Sequence, residues 1–338
     1  MKLDAALPPV SLADVPAIAR TAEAIGFDAL WTTEITHDPF LPHALIAEHT
    51  TRLRSGTAIA VSFARSPTTI AYTAWDLAAQ SGGRFILGLG TQVKGHIERR
   101  FGMDWPESVT GKLREQIRAI RALWDSWQND TALNFRGEYY KLTLMPPFFN
   151  PGPIPSLPDS SAGSLIPIYI AGVNTGLAKL AGELCDGFHV HPFHTPQYLS
   201  QVLLPSIRYG AEKAGRIRAD VTISASIFSA ADEAGLAFCR QQIAFYASTP
   251  SYRAVMRLHG WEATAEKLSS LAARGQWEQM PAQITEQMLE TFAVIADEDE
   301  LAAAIQRRYG GLADRVTLYI PFTPGKRDTF WRKLTSSI

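Results

Sequence analysis

Eight short apolar runs, at residues 3–7, 28–33, 54–61, 84–89, 167–171, 187–190, 221–228 and 315–320, are each followed by a stretch patterned like a helix. A strand followed by a helix, eight times over, predicts an α/β fold, the (β/α)8 TIM barrel, in which parallel strands close into a ring and ligands sit at their carboxyl ends. That rule turns a linear list of polar residues into a ring of side chains facing one another. At 338 residues the chain reads as one such domain, 1–338, with room for insertions.

Two segments interrupt the alternation. Residues 134–144 (NFRGEYYKLTL) read as a hairpin, and the Pro- and Ser-rich stretch 145–167 reads as a loop over the barrel mouth. Together they place an insertion at about 130–166, after strand four. Residues 231–292 are too long for one crossover helix, and their apolar spacing predicts three or four helices between strands seven and eight. Elsewhere the punctuation is local. Leu12, Val15, Ile18, Ala22 and Ile25 recur at helical spacing before Gly26, with Pro16 tolerable only in the first turn. Ser66-Pro67 opens a helix that closes at Gly82-Gly83. Asp297 and Glu300 look like a capping pair for the last helix, which stops at Gly310-Gly311.

Composition narrows the partners. The formal net charge is −1 and no block of like charge occurs, which argues against nucleic acid or an anionic membrane. The amino-terminal MKLDAALPPV lacks the features of a secretory signal, and no apolar stretch approaches ~18 residues. Cys185 and Cys239 lack CxxC spacing and read as reduced thiols. A cytoplasmic, soluble protein acting on a small molecule is the expectation.

Strand two ends in TTEITHDPF, which puts Glu34 and His37 at the rim. A carboxylate and an imidazole there suit acid–base chemistry, although Glu34 can equally brace a loop and Asp38-Pro39 start a turn. Strand three carries small residues at Ala58, Ala60 and Ser62, which let a flat ligand approach or simply fit the barrel taper. Strand four ends in Gly88-Leu89-Gly90, where the backbone can turn tightly. Thr91, Gln92 and His96 follow as neutral hydrogen-bonding groups. Strand five leads through Ala171, Gly172, Val173, Asn174 and Thr175 into a helix, an arrangement that leaves amides free for phosphate unless Asn174 or Thr175 caps them. His189, His191 and His194 on strand six invite a zinc reading, but no partner motif completes a ligand set, and no metal is assigned.

The strings GFDALWTTE, GTAIAV, RSPTTIAYTAWDLAAQSGGRFILGLGTQ and IPIYIAG, then LAKLAGELCDGF, resemble the luciferase-like monooxygenase family. SGGRFILGLGTQ followed by HIERRFGMDW resembles its branch that uses coenzyme F-420, a deazaflavin. The resemblance implies a barrel that binds F-420 or FMN at its mouth. It implies a non-prolyl cis peptide at Ala58-Ile59, backing the tricyclic ring. Polar positions beside the ring match Thr91, Gln92 and His96, and the phosphate segment matches Ala171 to Thr175. The family's acidic position matches Glu34, followed by Ile35 where histidine is usual, with His37 two residues further on. Dimers or larger homo-oligomers are usual in such a family.

Three functions follow. The first is hydride transfer between F-420 and a small organic substrate, which needs the ring and substrate held face to face. The second is an FMN-dependent monooxygenase of the same fold. The third is a barrel hydrolase or a non-catalytic flavin-binding protein, because fold alone does not fix function.

Overall fold

A computed structural model describes residues 1–155 and 166–338 of the chain. The eight strands are β1 (Lys2–Ala6), β2 (Ala29–Thr32), β3 (Arg54–Thr57), β4 (Phe85–Gly90), β5 (Ile168–Gly172), β6 (Gly187–Val190), β7 (Thr222–Ala230) and β8 (Arg315–Pro321). Each pairs in parallel with its sequence neighbours, and β8 pairs with β1, so the ring closes as the alternation predicts. β3 is interrupted at Ala58-Ile59, which is a cis peptide, and resumes at Ala60–Val61 alongside β4. β7 runs beyond the ring and pairs there with a short strand, Ala293–Ile295.

Local signals account for the helix ends. The first helix is Val15–Ile25, entered by a 3-10 turn that absorbs Pro16 into the first turn, and Gly26 ends it at φ 103°. Ser66 accepts the Thr69 amide and Pro67 starts the helix Pro67–Ser81. The capping pair at 297 and 300 does not form. Glu300 is the N-cap residue of Leu301–Tyr309 but makes no side-chain cap bond. Nor is that helix the last, because Asp328–Ser337 follows β8 and packs Phe330, Trp331 and Leu334 inward.

Both insertions are present. Phe135–Arg136 and Lys141–Leu142 form the hairpin. The stretch after it does not cover the mouth over its described part. Met145 takes the Trp127 indole N–H at 3.4 Å, Tyr72 donates to the Phe149 carbonyl, and Gln128 pairs with the Ile154 backbone, so residues 145–155 lie along the outer helices. Met145 packs partly buried beside Trp127 and Ile154 is buried, whereas Phe148 and Phe149 stay exposed, so the backbone bonds together with Met145 and Ile154 hold the stretch against the helices. The remainder of that loop, 156–165, lies outside the described residues. The second insertion contains four α-helices, Glu233–Ala247, Arg253–Leu258, Glu262–Ala273 and Glu286–Phe292.

The lower barrel is filled. Arg315 grips Asp4 through two hydrogen bonds of 2.8 and 2.7 Å, and the Trp31 indole donates to the same carboxylate at 2.9 Å. Burial pushes Asp4 up in pKa despite the guanidinium beside it. His189 stands edge-on to Trp31, with ring centres 4.8 Å apart, and Tyr169 lies alongside. Ligand space is therefore confined to the layer above, at the carboxyl ends. Among the described residues no helix is long and apolar enough to cross a membrane.

Burial holds three fully enclosed histidines neutral. His43 and His189 are pushed down to about 3 and His194 to about 4. The unfolded chain, with ordinary imidazoles near 6.5, binds more protons below that pH. Stability is therefore complete above about 6.5 and is lost as pH falls towards 3, by at most roughly 1.4 kcal/mol per pH unit for each histidine. Asp4, raised by burial, acts in the opposite sense and shallows the slope. Urea midpoints measured from pH 7.5 to 4.5 are expected to fall steadily below about 6.5; a flat profile would contradict the neutral, buried assignment.

Candidate active site

Thr57 and Gly88 join the two strands that shape the rim. The Gly88 amide donates to Thr57 Oγ1 at 3.0 Å, and that hydroxyl donates to the Gly88 carbonyl at 2.6 Å. A Cβ at Gly88 would overlap the Thr57 carbonyl oxygen, and one at Gly90 would come within 2.5 Å of Ile59 Cγ1. The GxG motif thus has a structural cause: the break in β3 presses against β4, and only glycine leaves room. Ala58 and Ile59 remain half-buried above it, presenting a small apolar wall, while Ala60 behind them is buried.

Glu34 is turned towards this break. Its Oε2 accepts the Val61 amide at 2.6 Å and Arg65 Nη1 at 2.7 Å, with its side chain only 6% exposed. Arg65 also reaches Asp38, whose other oxygen accepts the Phe40 amide. Beneath the loop, Thr32 Oγ1 donates to the Pro39 carbonyl and meets His43 Nε2 at 2.9 Å. His37 points elsewhere. It is exposed, in a shallow cleft between the ends of β1 and β2 shared with Leu7, Pro8 and Thr33. The rim carboxylate and imidazole are thus on one loop but are not joined by a hydrogen bond.

After β4, Thr91 is buried and Gln92 adopts a left-handed φ of 58°, its side chain accepting the Val93 amide. His96 is exposed on the short helix Lys94–Arg99. After β5, Ala171 and Gly172 are half-buried, Val173 is buried, and Asn174 and Thr175 are exposed at the start of the helix Thr175–Leu184. Asn174 does not cap that helix. Its amide nitrogen donates instead to the Ser251 carbonyl at 3.0 Å, leaving the first turn's amides without a side-chain cap.

The ring closure brings these segments together, since each follows the carboxyl end of its strand and neighbouring strands are paired. Several residues of the site were not singled out by sequence. Arg65, which locks Glu34, sits 31 positions away. Arg253, two residues beyond Ser251, has a buried Nε with no hydrogen-bond partner among the described residues. His191, Tyr246, Tyr252 and Tyr319 crowd together on the opposite rim. Of these four, His191 alone was singled out by sequence, within the histidine run of strand six; for Tyr319 the strand alternation was a usable signal, and for the insertion residues there was none.

The comparisons agree with this architecture. An uncharacterized protein of Mycobacterium tuberculosis is 42% identical over 323 residues, 94% of this chain and 92% of the relative. An F420-dependent glucose-6-phosphate dehydrogenase of Kineococcus radiotolerans is 28% identical over 312 residues, covering 88% of this chain and 83% of its own. The solved coenzyme F420-dependent tetrahydromethanopterin reductase of Methanopyrus kandleri superposes with a TM-score of 0.79 at 21% identity, over 100% of this chain and 98% of that one. The sequence pattern of luciferase-like monooxygenases matches residues 3–315, nearly the whole chain, and the protein belongs to that family.

Proposed function

We propose that this oxidoreductase binds coenzyme F-420 across the barrel mouth and exchanges hydride between it and a small organic substrate. The observation that carries the reading is the pairing, on one rim, of a flat apolar wall at Ala58-Ile59 with an uncapped helix start at Gly172–Thr175. A planar ring bearing a phosphate needs both. Ala58, Ile59 and Ala60 would back the ring, with Thr91, Gln92 and His96 along its polar edge. The amides of Ala171 to Thr175 would take the phosphate, helped by the positive end of the helix dipole. Arg253 lies two residues beyond the Ser251 that Asn174 holds, its Nε is unpartnered among the described residues, and it would suit the same anion.

The deazaflavin, when bound, supplies a carbon centre that accepts or gives hydride. The chain's task is to hold the ring and substrate in register and keep water away. Glu34 serves this as a positioning residue, since its bonds to Val61 and Arg65 fix the wall. His37, exposed at the β2 rim on the same loop, is the candidate acid–base side chain there.

Titration of the purified protein with F-420 and with FMN, followed by absorbance, tests this. F-420 is expected to saturate one site per chain and bind at least about tenfold more tightly than FMN, a difference of about 1.4 kcal/mol. Preference for FMN would instead support a monooxygenase, the activity named for several solved neighbours of the same fold. Binding of neither would remove both readings.

A further inference from the structure

Opposite the ring wall, the mouth is closed by four aromatic side chains from three parts of the chain. His191 lies at the end of β6, two residues above the inward-facing His189. Tyr319 lies on β8, on the same face as Arg315 and one layer above Thr317. Tyr246 and Tyr252 come from the helical insertion and fold over this rim. The His191 ring centre is 4.7 Å from those of both insertion tyrosines, and the hydroxyls of Tyr246 and Tyr319 are 2.5 Å apart. All four are half-buried, so they line the mouth without being sealed from it.

We infer that this cluster is the substrate-facing wall and that it selects an uncharged alcohol or carbonyl compound over an anionic one. The inference rests on the proposed cofactor reading, which gives the opposite wall to the ring.

Hydrogen bonding defines what the cluster offers. The Phe193 amide donates to His191 Nδ1 at 3.1 Å, so the neutral ring carries its proton on Nε2 and can donate from there. The two paired phenols use one hydroxyl hydrogen between them, which leaves the other free. These are neutral donors of the kind that hold a carbonyl or hydroxyl oxygen. Burial keeps them neutral, raising Tyr246 and lowering His191 to about 3.

Among the described residues, the mouth's arginines are engaged or assigned away from this cluster. Arg65 is committed to Glu34 and Asp38, and Arg315 to Asp4 and Asp28 in the layer below. Arg253 directly follows Tyr252, and in the proposed function it takes the phosphate beside Ser251 and Asn174. An anion placed against this wall would lose its hydration for neutral partners alone, a poor exchange in a half-buried site. The aromatic faces add apolar area suited to the carbon skeleton of an uncharged compound. By this reading the chain differs in substrate from relatives named for a sugar phosphate.

The test uses the F-420-loaded protein and paired probes. Cyclohexanol, cyclohexanone, benzyl alcohol and benzaldehyde represent the neutral class, with glucose 6-phosphate and lactate as the anionic class. Turnover is read from F-420 absorbance and binding from saturation-transfer NMR. Binding and turnover are expected with neutral probes only. Tyr319→Phe and Tyr246→Phe are each expected to raise KM by about tenfold for the accepted probe, as loss of a substrate hydrogen bond does, with F-420 affinity unchanged as the check on folding. Preference for an anionic probe, binding of no neutral probe, or variants that leave KM unchanged would overturn the inference. Failure of F-420 to bind would sink the cofactor reading alone, because the NMR comparison still reads neutral against anionic preference at the mouth.

Discussion

Gly88→Ala is expected to destabilise the protein by about 3 kcal/mol and to abolish measurable F-420 binding. The added methyl would occupy the position of the Thr57 carbonyl oxygen, and backbone cannot step aside as a flexible side chain can. Relief requires β3 and β4 to separate, which also breaks the paired hydrogen bonds between Thr57 and Gly88. Gly90→Ala provides the contrast. There the obstacle is the Ile59 side chain, so the fold should survive while the ring wall moves and F-420 binding weakens by about tenfold. Urea unfolding and absorbance titration on the two variants separate these effects. If Gly88→Ala unfolds at the wild-type midpoint, the close approach of β3 to β4 is wrong.

Arg315→Met is expected to cost about 3–5 kcal/mol, because it leaves the Asp4 carboxylate buried without its counter-charge. The side chains of Arg315 and Asp4 are 3% and 0% exposed, so solvent cannot compensate. Joining that change to Asp4→Leu removes both charges and should recover much of the loss, less what Trp31 forfeits when its indole N–H loses the Asp4 acceptor. Denaturant midpoints of the two single variants and the double variant decide it. A single variant as stable as wild type would show that the pair does not bridge the barrel floor. Because this cluster lies below the mouth, the double variant is also expected to keep its F-420 affinity.

The eight apolar runs, their helix signals and the rim position of Glu34, Thr91 and Gly172 were legible in the chain, because periodicity and caps are local and the barrel rule converts order into position. The two insertions were legible by length. The break at Ala58-Ile59 came from family resemblance, since nothing in the composition of GTAIAV demands it. What the pattern left open depended on contacts between distant residues. Arg315 meets Asp4 across 311 positions, and Arg65 meets Glu34 across 31. The course of residues 145–155 was decided by contacts with Tyr72 and Trp127 on the outer helices, which their own composition does not encode. The sequence by itself determined a ring of strands with its chemistry at one end; the tertiary structure alone decided which side chains there are locked by partners and which still face the mouth. The physical reason is that hydrogen bonds and burial depend on closeness in space, and only the folded chain brings Tyr246 and Tyr252 to His191.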